Sequence, residues 1–232
     1  NTAHGVARMR YYPAGDLLAP IASAACARIG SFSPQQLANL ALAYGSARVA
    51  APALFDAVAS AAAARVGEFS PFQLANLAWA FAKANVAAPA LYAAISRAAP
   101  ASVDKLSPQQ LANLAWAFGK NAKGAAPELF DAIARSAPPR IDEFSPQHIS
   151  NLAWGFAKAQ VDAPELFATL ASAAKPRIGE FKPAGLDTLR WAFAKGGQKD
   201  AALLDAIAQA RTQGTKRFLK RHQELTAAER ED

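Results

Sequence analysis

The sequence predicts an all-α protein, an α-solenoid of stacked helix pairs. Three observations predict it. Alanine makes up 61 of the 232 residues, and alanine is the best helix former and a poor strand former. Val, Ile and Thr are scarce and never alternate with polar residues, which argues against a sheet. Finally, one phrase returns in register: Phe32-SPQQLANLALAYGSA, Phe69-SPFQLANLAWAFAKA, Leu106-SPQQLANLAWAFGKN, Phe144-SPQHISNLAWGFAKA and Phe181-KPAGLDTLRWAFAKG, with leading residues 37, 37, 38 and 37 apart. A fixed period of this size marks an array in which each unit buries its apolar face only against its neighbours.

The units follow in order. Residues 1–31 read as a partial opening repeat, because Asn1-TAHGVAR aligns with Asn151-LAWGFAK. Five helix-pair repeats are expected at 32–68, 69–105, 106–143, 144–180 and 181–210. Residues 211–232 read as a charged helix or tail, basic in its first half and acidic in its second. Further repeats and any targeting peptide are expected ahead of Asn1.

Within a unit, the first helix opens at Ser-Pro-x-Gln. Ser33, Ser70, Ser107 and Ser145 serve as N-caps, Pro follows where its missing N–H costs nothing, and Gln36, Gln73 and Gln110 complete a capping box. Leu74, Leu77, Ala78 and Phe81 then form one apolar stripe. Small residues with Lys, as in the run from Gly119 to Gly124, are expected to end this helix. The second helix opens at Ala-Pro with Pro52, Pro89, Pro127 or Pro164, and carries an apolar face such as Leu129, Phe130 and Ile133. Ile141 and Phe144 are expected to pack under the turn that follows. The fifth unit departs from the pattern: Gly185, Thr188, Asp187 and Arg190 stand at conserved-looking phrase positions, as suits a terminal unit facing water.

Composition excludes several function classes. A single cysteine, Cys26, rules out internal disulfides and Cys-based zinc sites. The three histidines, His4, His148 and His222, sit in unrelated contexts, and no HExxH, CxxC, GxSxG or phosphate-loop motif occurs. Neither enzyme activity, nor a cofactor, a metal or a small-molecule substrate is expected. The longest uncharged stretch, Ile29–Ala47, is too polar to cross a membrane. Net charge is +7 and the isoelectric point about 9.7.

The phrase Ser-Pro-Gln-Gln-Leu-Ala-Asn-Leu-Ala-Trp-Ala-Phe, repeated across nearly the whole chain, resembles the octotricopeptide and heptatricopeptide repeats of algae, dinoflagellates and apicomplexans. That resemblance implies helix-pair solenoids of mitochondria or chloroplasts. Such proteins bind organellar RNA, stabilise or help translate transcripts, or serve in organellar ribosomes. The RAP domain that ends many members is not seen in this sequence.

Charge is segregated by helix. Apart from Asp187, the first helices of the five units and their ends carry only cations: Lys83, Lys120, Lys123, Lys158, Lys182, Arg190 and Lys195, with Arg48 nearby. The acids fall in second helices and loops, among them Asp56, Glu128, Asp131 and Glu165. All first helices of a solenoid line one surface, so that surface should be positive, as phosphate binding requires. A solvated face with Lys at helix C-termini is the plain alternative.

On a helical wheel Asn76, Trp79 and Lys83 lie opposite the buried stripe. The RNA-binding candidates are therefore Asn39, Asn76, Asn113 and Asn151; Lys83, Lys120, Lys158 and Lys195; and Gln35, Gln109 and Gln147. An amide, an aromatic and a cation on one face can read, stack and neutralise a single strand. Against this, Trp79, Trp116, Trp154 and Trp191 read first as packing between repeats, and the Asn row as a buried amide ladder. The positions that vary, Gln35/Phe72/Gln109/Gln147 and Gln36/Gln73/Gln110/His148, are the better base-specificity candidates. The expected partner is single-stranded or ribosomal RNA, together with protein subunits of a larger assembly. The alternative is a scaffold subunit that contacts mainly protein.

Overall fold

A computed structural model describes residues 14–47, 49–121, 126–198 and 200–213. Among these residues there is no strand, and helices follow one another in pairs. They are α1 (Ala14–Cys26), α2 (Pro34–Ala47), α3 (Pro52–Ala64), α4 (Pro71–Ala84), α5 (Pro89–Ala98), α6 (Pro108–Asn121), α7 (Pro127–Ser136), α8 (Pro146–Ala159), α9 (Pro164–Ala174) and α10 (Pro183–Lys195). A last helix, α11, spans 201–213 and runs three residues past the expected end of the fifth unit. Residues 1–13 of the opening repeat, residues 214–232 of the tail, Arg48, Lys123 and Gly124 lie outside the described residues.

Even-numbered helices open each unit and odd-numbered ones close it. Among the described residues the most extensive contacts join the first helices of neighbouring units: α2 on α4, α4 on α6, α6 on α8 and α8 on α10. Each second helix leads into a short 3-10 segment, such as Val66–Glu68 or Pro138–Glu143, against which the next second helix also rests. The fold is an all-α solenoid.

Local sequence chemistry sets the helix ends. Ser70 accepts the Gln73 N–H while Gln73 Oε1 accepts the Ser70 N–H, the reciprocal pairing of a capping box. The same pairing joins Ser33 to Gln36 and Ser107 to Gln110. The α4 and α8 C-termini close on Asn85 and Gln160, both left-handed at φ 59, with the next N–H bonded to the carbonyl of Phe81 or Phe156. Gly119 does not terminate its helix, which continues to Asn121; it is a packing residue.

The core forms as the apolar stripes require. Leu74, Leu77, Ala78 and Phe81 are buried, as are Leu129, Phe130 and Ile133, and Phe144 seals the turn. Each second helix adds an aromatic edge against the first helix of the next unit. Phe55 meets Phe81, Tyr92 meets Phe118, Phe130 meets Phe156 and Phe167 meets Phe193, with centroids 4.9–5.1 Å apart and rings near perpendicular. The first helices approach backbone to backbone. A Cβ on Gly45 would come within 2.7 Å of the Ala80 carbonyl oxygen, and one on Gly155 within 2.5 Å of Ala115.

A second device between units is carried by arginines. Arg65 donates to the Phe32 carbonyl at 2.9 Å, Arg140 to that of Leu106 at 2.9 Å, and Arg177 to that of Phe144 at 2.7 Å. Each guanidinium is held by the glutamate three residues on, Glu68, Glu143 or Glu180. The Arg-x-x-Glu-Phe recurrence was the available signal, but charge spacing alone does not reveal a carbonyl a whole repeat away.

Candidate nucleic-acid interface

The four candidate positions of a first helix lie at i, i+4, i+7 and i+11, so they share one face, opposite the core. Because the helices stack in register, equivalent positions form rows along the solenoid. One row is Gln35, Phe72, Gln109, Gln147 and Ala184, all exposed. The next is Asn39, Asn76, Asn113, Asn151 and Thr188, all half-buried. The third is Leu42, Trp79, Trp116, Trp154 and Trp191. The fourth is Ser46, Lys83, Lys120, Lys158 and Lys195. Aromatic and cation therefore begin only with the second unit.

The Asn row is not the buried ladder weighed above. The side chains of Asn39, Asn76, Asn113 and Asn151 are half-exposed and make no hydrogen bond among the described residues. The amide contact that does cross between units lies one row over, where Gln73 Nε2 donates to Gln35 Oε1 at 3.4 Å.

The tryptophans do pack between repeats, but at the edge of the core and not sealed within it. Trp79, Trp116 and Trp154 are half-buried and Trp191 is 38% exposed. Three of them nonetheless pack from repeat to repeat along the outer side, with rings tilted: Trp116 and Trp154 have centroids 5.7 Å apart at 32°, Trp154 and Trp191 6.1 Å apart at 33°. The physical reason is space. The inner line of the first-helix contact is filled by Gly and Ala backbones, leaving the indoles room only outside it.

The lysines divide into two kinds. Lys83 Nζ lies 5.8 Å from the Trp79 ring centroid, and Lys120 Nζ 5.3 Å from that of Trp116. Lys120 also donates to the Ala82 carbonyl at 2.6 Å, closing the C-terminus of α4. Lys158 and Lys195 are exposed. Asp187, the acid among the first helices, is paired with Arg211 at 3.1 Å. The acids of the second helices, Asp56, Glu128, Asp131 and Glu165, are exposed away from this face.

One set of proposed base readers has another task. Gln36, Gln73 and Gln110 are engaged in capping boxes, and His148 replaces them in the fourth unit: its Nδ1 accepts the Ser145 N–H at 3.3 Å. That bond needs a neutral ring, and burial lowers the His148 pKa below its ordinary value. The other varying row, Gln35, Phe72, Gln109 and Gln147, stays accessible; Phe72 is 47% exposed.

A groove of about 360 Å³ runs across three units at this face, lined by Trp79, Lys83, Asn113, Trp116, Gln147 and Asn151 among others. The structure thus brings amide, indole and ammonium candidates from successive units into one concavity. No cluster of three or more His, Cys, Asp or Glu suited to a metal occurs among the described residues. Among the same residues, no helix is long and apolar enough to cross a membrane.

Fold and face together define a helical-repeat protein with amide, indole and ammonium rows along its first helices. The family model described as RNA-editing substrate-binding complex 6 protein matches residues 21–176, about two thirds of the chain, and the chain belongs to that family. No curated protein matches it. This match supports the coarser expectation of an RNA-associated helical protein and does not specifically show the octotricopeptide class that the repeat phrase resembles.

Proposed function

We propose that this protein binds single-stranded RNA along the face of its first helices, as a non-catalytic subunit of an RNA-editing assembly. The observation that carries the reading is the register-matched set of Asn, Trp and Lys rows, with the acids of the second helices, Asp56, Glu128, Asp131 and Glu165, outside these rows. Phosphates run along the lysine row, while bases meet the amides and indoles. The family's name supports RNA and protein partners of an editing complex over a ribosomal role. The mitochondrion is the compartment this reading favours, on the organellar resemblance of the repeats.

The test is salt-dependent binding of a labelled oligouridylate. Each neutralised phosphate contributes about 0.7 to the logarithmic salt slope for a single strand. Replacing Lys83, Lys158 and Lys195 together by Gln is expected to weaken binding and to flatten the slope by roughly 2. Lys120 stays in place because it also closes α4. No affinity at low salt, or a slope indifferent to the three changes, overturns the reading in favour of a protein-contacting scaffold.

A further inference from the structure

The fifth unit changes two neighbouring positions of its first helix together. In the fifth unit, Ala184 stands where Gln35, Gln109 and Gln147 stand, and Gly185 where the capping Gln or His stands. Without those side chains a hollow of about 390 Å³ opens between α8 and α10. That volume falls in the range of roughly 300–1,000 Å³ seen for small-ligand sites. Its apolar wall is Phe181 with Pro146. Its polar lining comprises Gln147, Ser150, Asn151, Glu180, Lys182 and Thr188.

The polar groups are of both signs and several are uncommitted. Asn151 and Gln147 make no hydrogen bond among the described residues. Arg177 engages Oε2 of Glu180 at 3.2 Å and leaves Oε1. Ser150, 2% exposed, donates to the carbonyls of Pro146 and Gly185 at 3.0 and 3.1 Å, which fixes the floor of the hollow and ties α8 to α10. Lys182 occupies the N-cap of α10 with its side chain exposed and not bonded to the helix.

We propose that the hollow between α8 and α10 is a binding site for one unstacked guanine base of the strand. This rests on the strand-binding reading above and deepens it. A base leaving the stack can be read on its Watson–Crick and Hoogsteen edges. Guanine presents N–H donors on one edge and the O6 and N7 acceptors on the other. A carboxylate with an open oxygen matches the first, and an ammonium with amide N–H groups matches the second. Adenine and uracil offer no such paired edge to a carboxylate. In the first four units Gln, Phe or His side chains stand at the positions of Ala184 and Gly185, so a base held in the fifth unit's hollow sets the register of the RNA on the solenoid.

The experiment restores the repeat pattern. Gly185→Gln together with Ala184→Gln fills the hollow with the residues that α2 and α6 carry. A Cβ at Gly185 meets Ser150 Oγ at 3.4 Å, ordinary contact, so the fold is retained; circular dichroism checks this. Binding is measured for oligouridylates carrying a single G, A or C at successive positions. One guanine at a defined position is expected to raise affinity about 10-fold for the native chain, and the filled variant and Glu180→Gln are both expected to lose that preference while still binding oligouridylate. Equal affinity for all substituted strands, or a guanine preference that survives the filled variant, overturns the site. Loss of oligouridylate binding by the native chain instead overturns the strand-binding reading, and the site with it.

Discussion

Gly119 and Gly155 meet backbone to backbone: a Cβ added to Gly119 would lie 2.5 Å from the Gly155 carbonyl oxygen. Each also stands in a helix interior, where glycine is costly by roughly 1 kcal/mol relative to alanine. The close approach of α6 and α8 is what retains them, and it also pushes the indoles of Trp116 and Trp154 out to the edge of the core, where they pack against each other.

Gly155→Ala is therefore expected to destabilise the protein despite alanine's higher helix propensity. Its Cβ would sit 2.5 Å from the Ala115 carbonyl group and force two helices apart; overpacking of this kind costs about 1–3 kcal/mol. Gly67→Ala, with nothing within 4 Å of the new Cβ, is expected to change stability by no more than about 0.5 kcal/mol. Denaturant midpoints of the two variants check the contrast; equal midpoints would sink the idea.

Trp116→Ala separates packing from stacking. The ring is half-buried, rests against Trp154 and lies beneath Lys120. Its loss is expected to cost about 2 kcal/mol of stability, less than the roughly 3–5 kcal/mol of a sealed aromatic. RNA affinity should fall by a further ~1–3 kcal/mol, the worth of a base stacked on an aromatic. A stability loss at the sealed-core level with unchanged affinity would return this residue to a purely structural role.

His148 makes one helix cap sensitive to acid. Burial holds the folded ring's pKa below the ordinary value, so near that pH the unfolded chain binds more protons and stability rises with pH. The contribution is fully present above the unfolded value of about 6.5 and is lost as pH falls through the folded value. Protonation removes the Nδ1 acceptor for the Ser145 N–H. His148→Gln, which restores the side chain of the other units, is expected to flatten this part of the stability–pH curve. Thermal melts of the two proteins between pH 5 and 8 on the ordinary titration range of histidine decide it; identical curves would remove His148 from the cap.

The sequence by itself determined the solenoid, because its signals are local. A Ser-Pro-x-Gln start, a Leu and Phe stripe and an Ala-Pro restart each act within one or two turns, and their repetition at one period leaves stacking as the way to bury the stripes. It also placed Asn76, Trp79 and Lys83 on one face, since a helix wheel needs only spacing. What it left to the tertiary structure are relations between residues a repeat apart. Helix spacing, set by Gly119 against Gly155, decided that the tryptophans pack at the edge of the core. The reach of one side chain decided that Lys120 closes α4, since its ammonium meets the Ala82 carbonyl. The Arg140 bond to the Leu106 carbonyl and the hollow above Gly185 were equally invisible. Such features depend on how closely two helices approach, and that distance is fixed by packing volume across the interface, which no single unit's sequence contains.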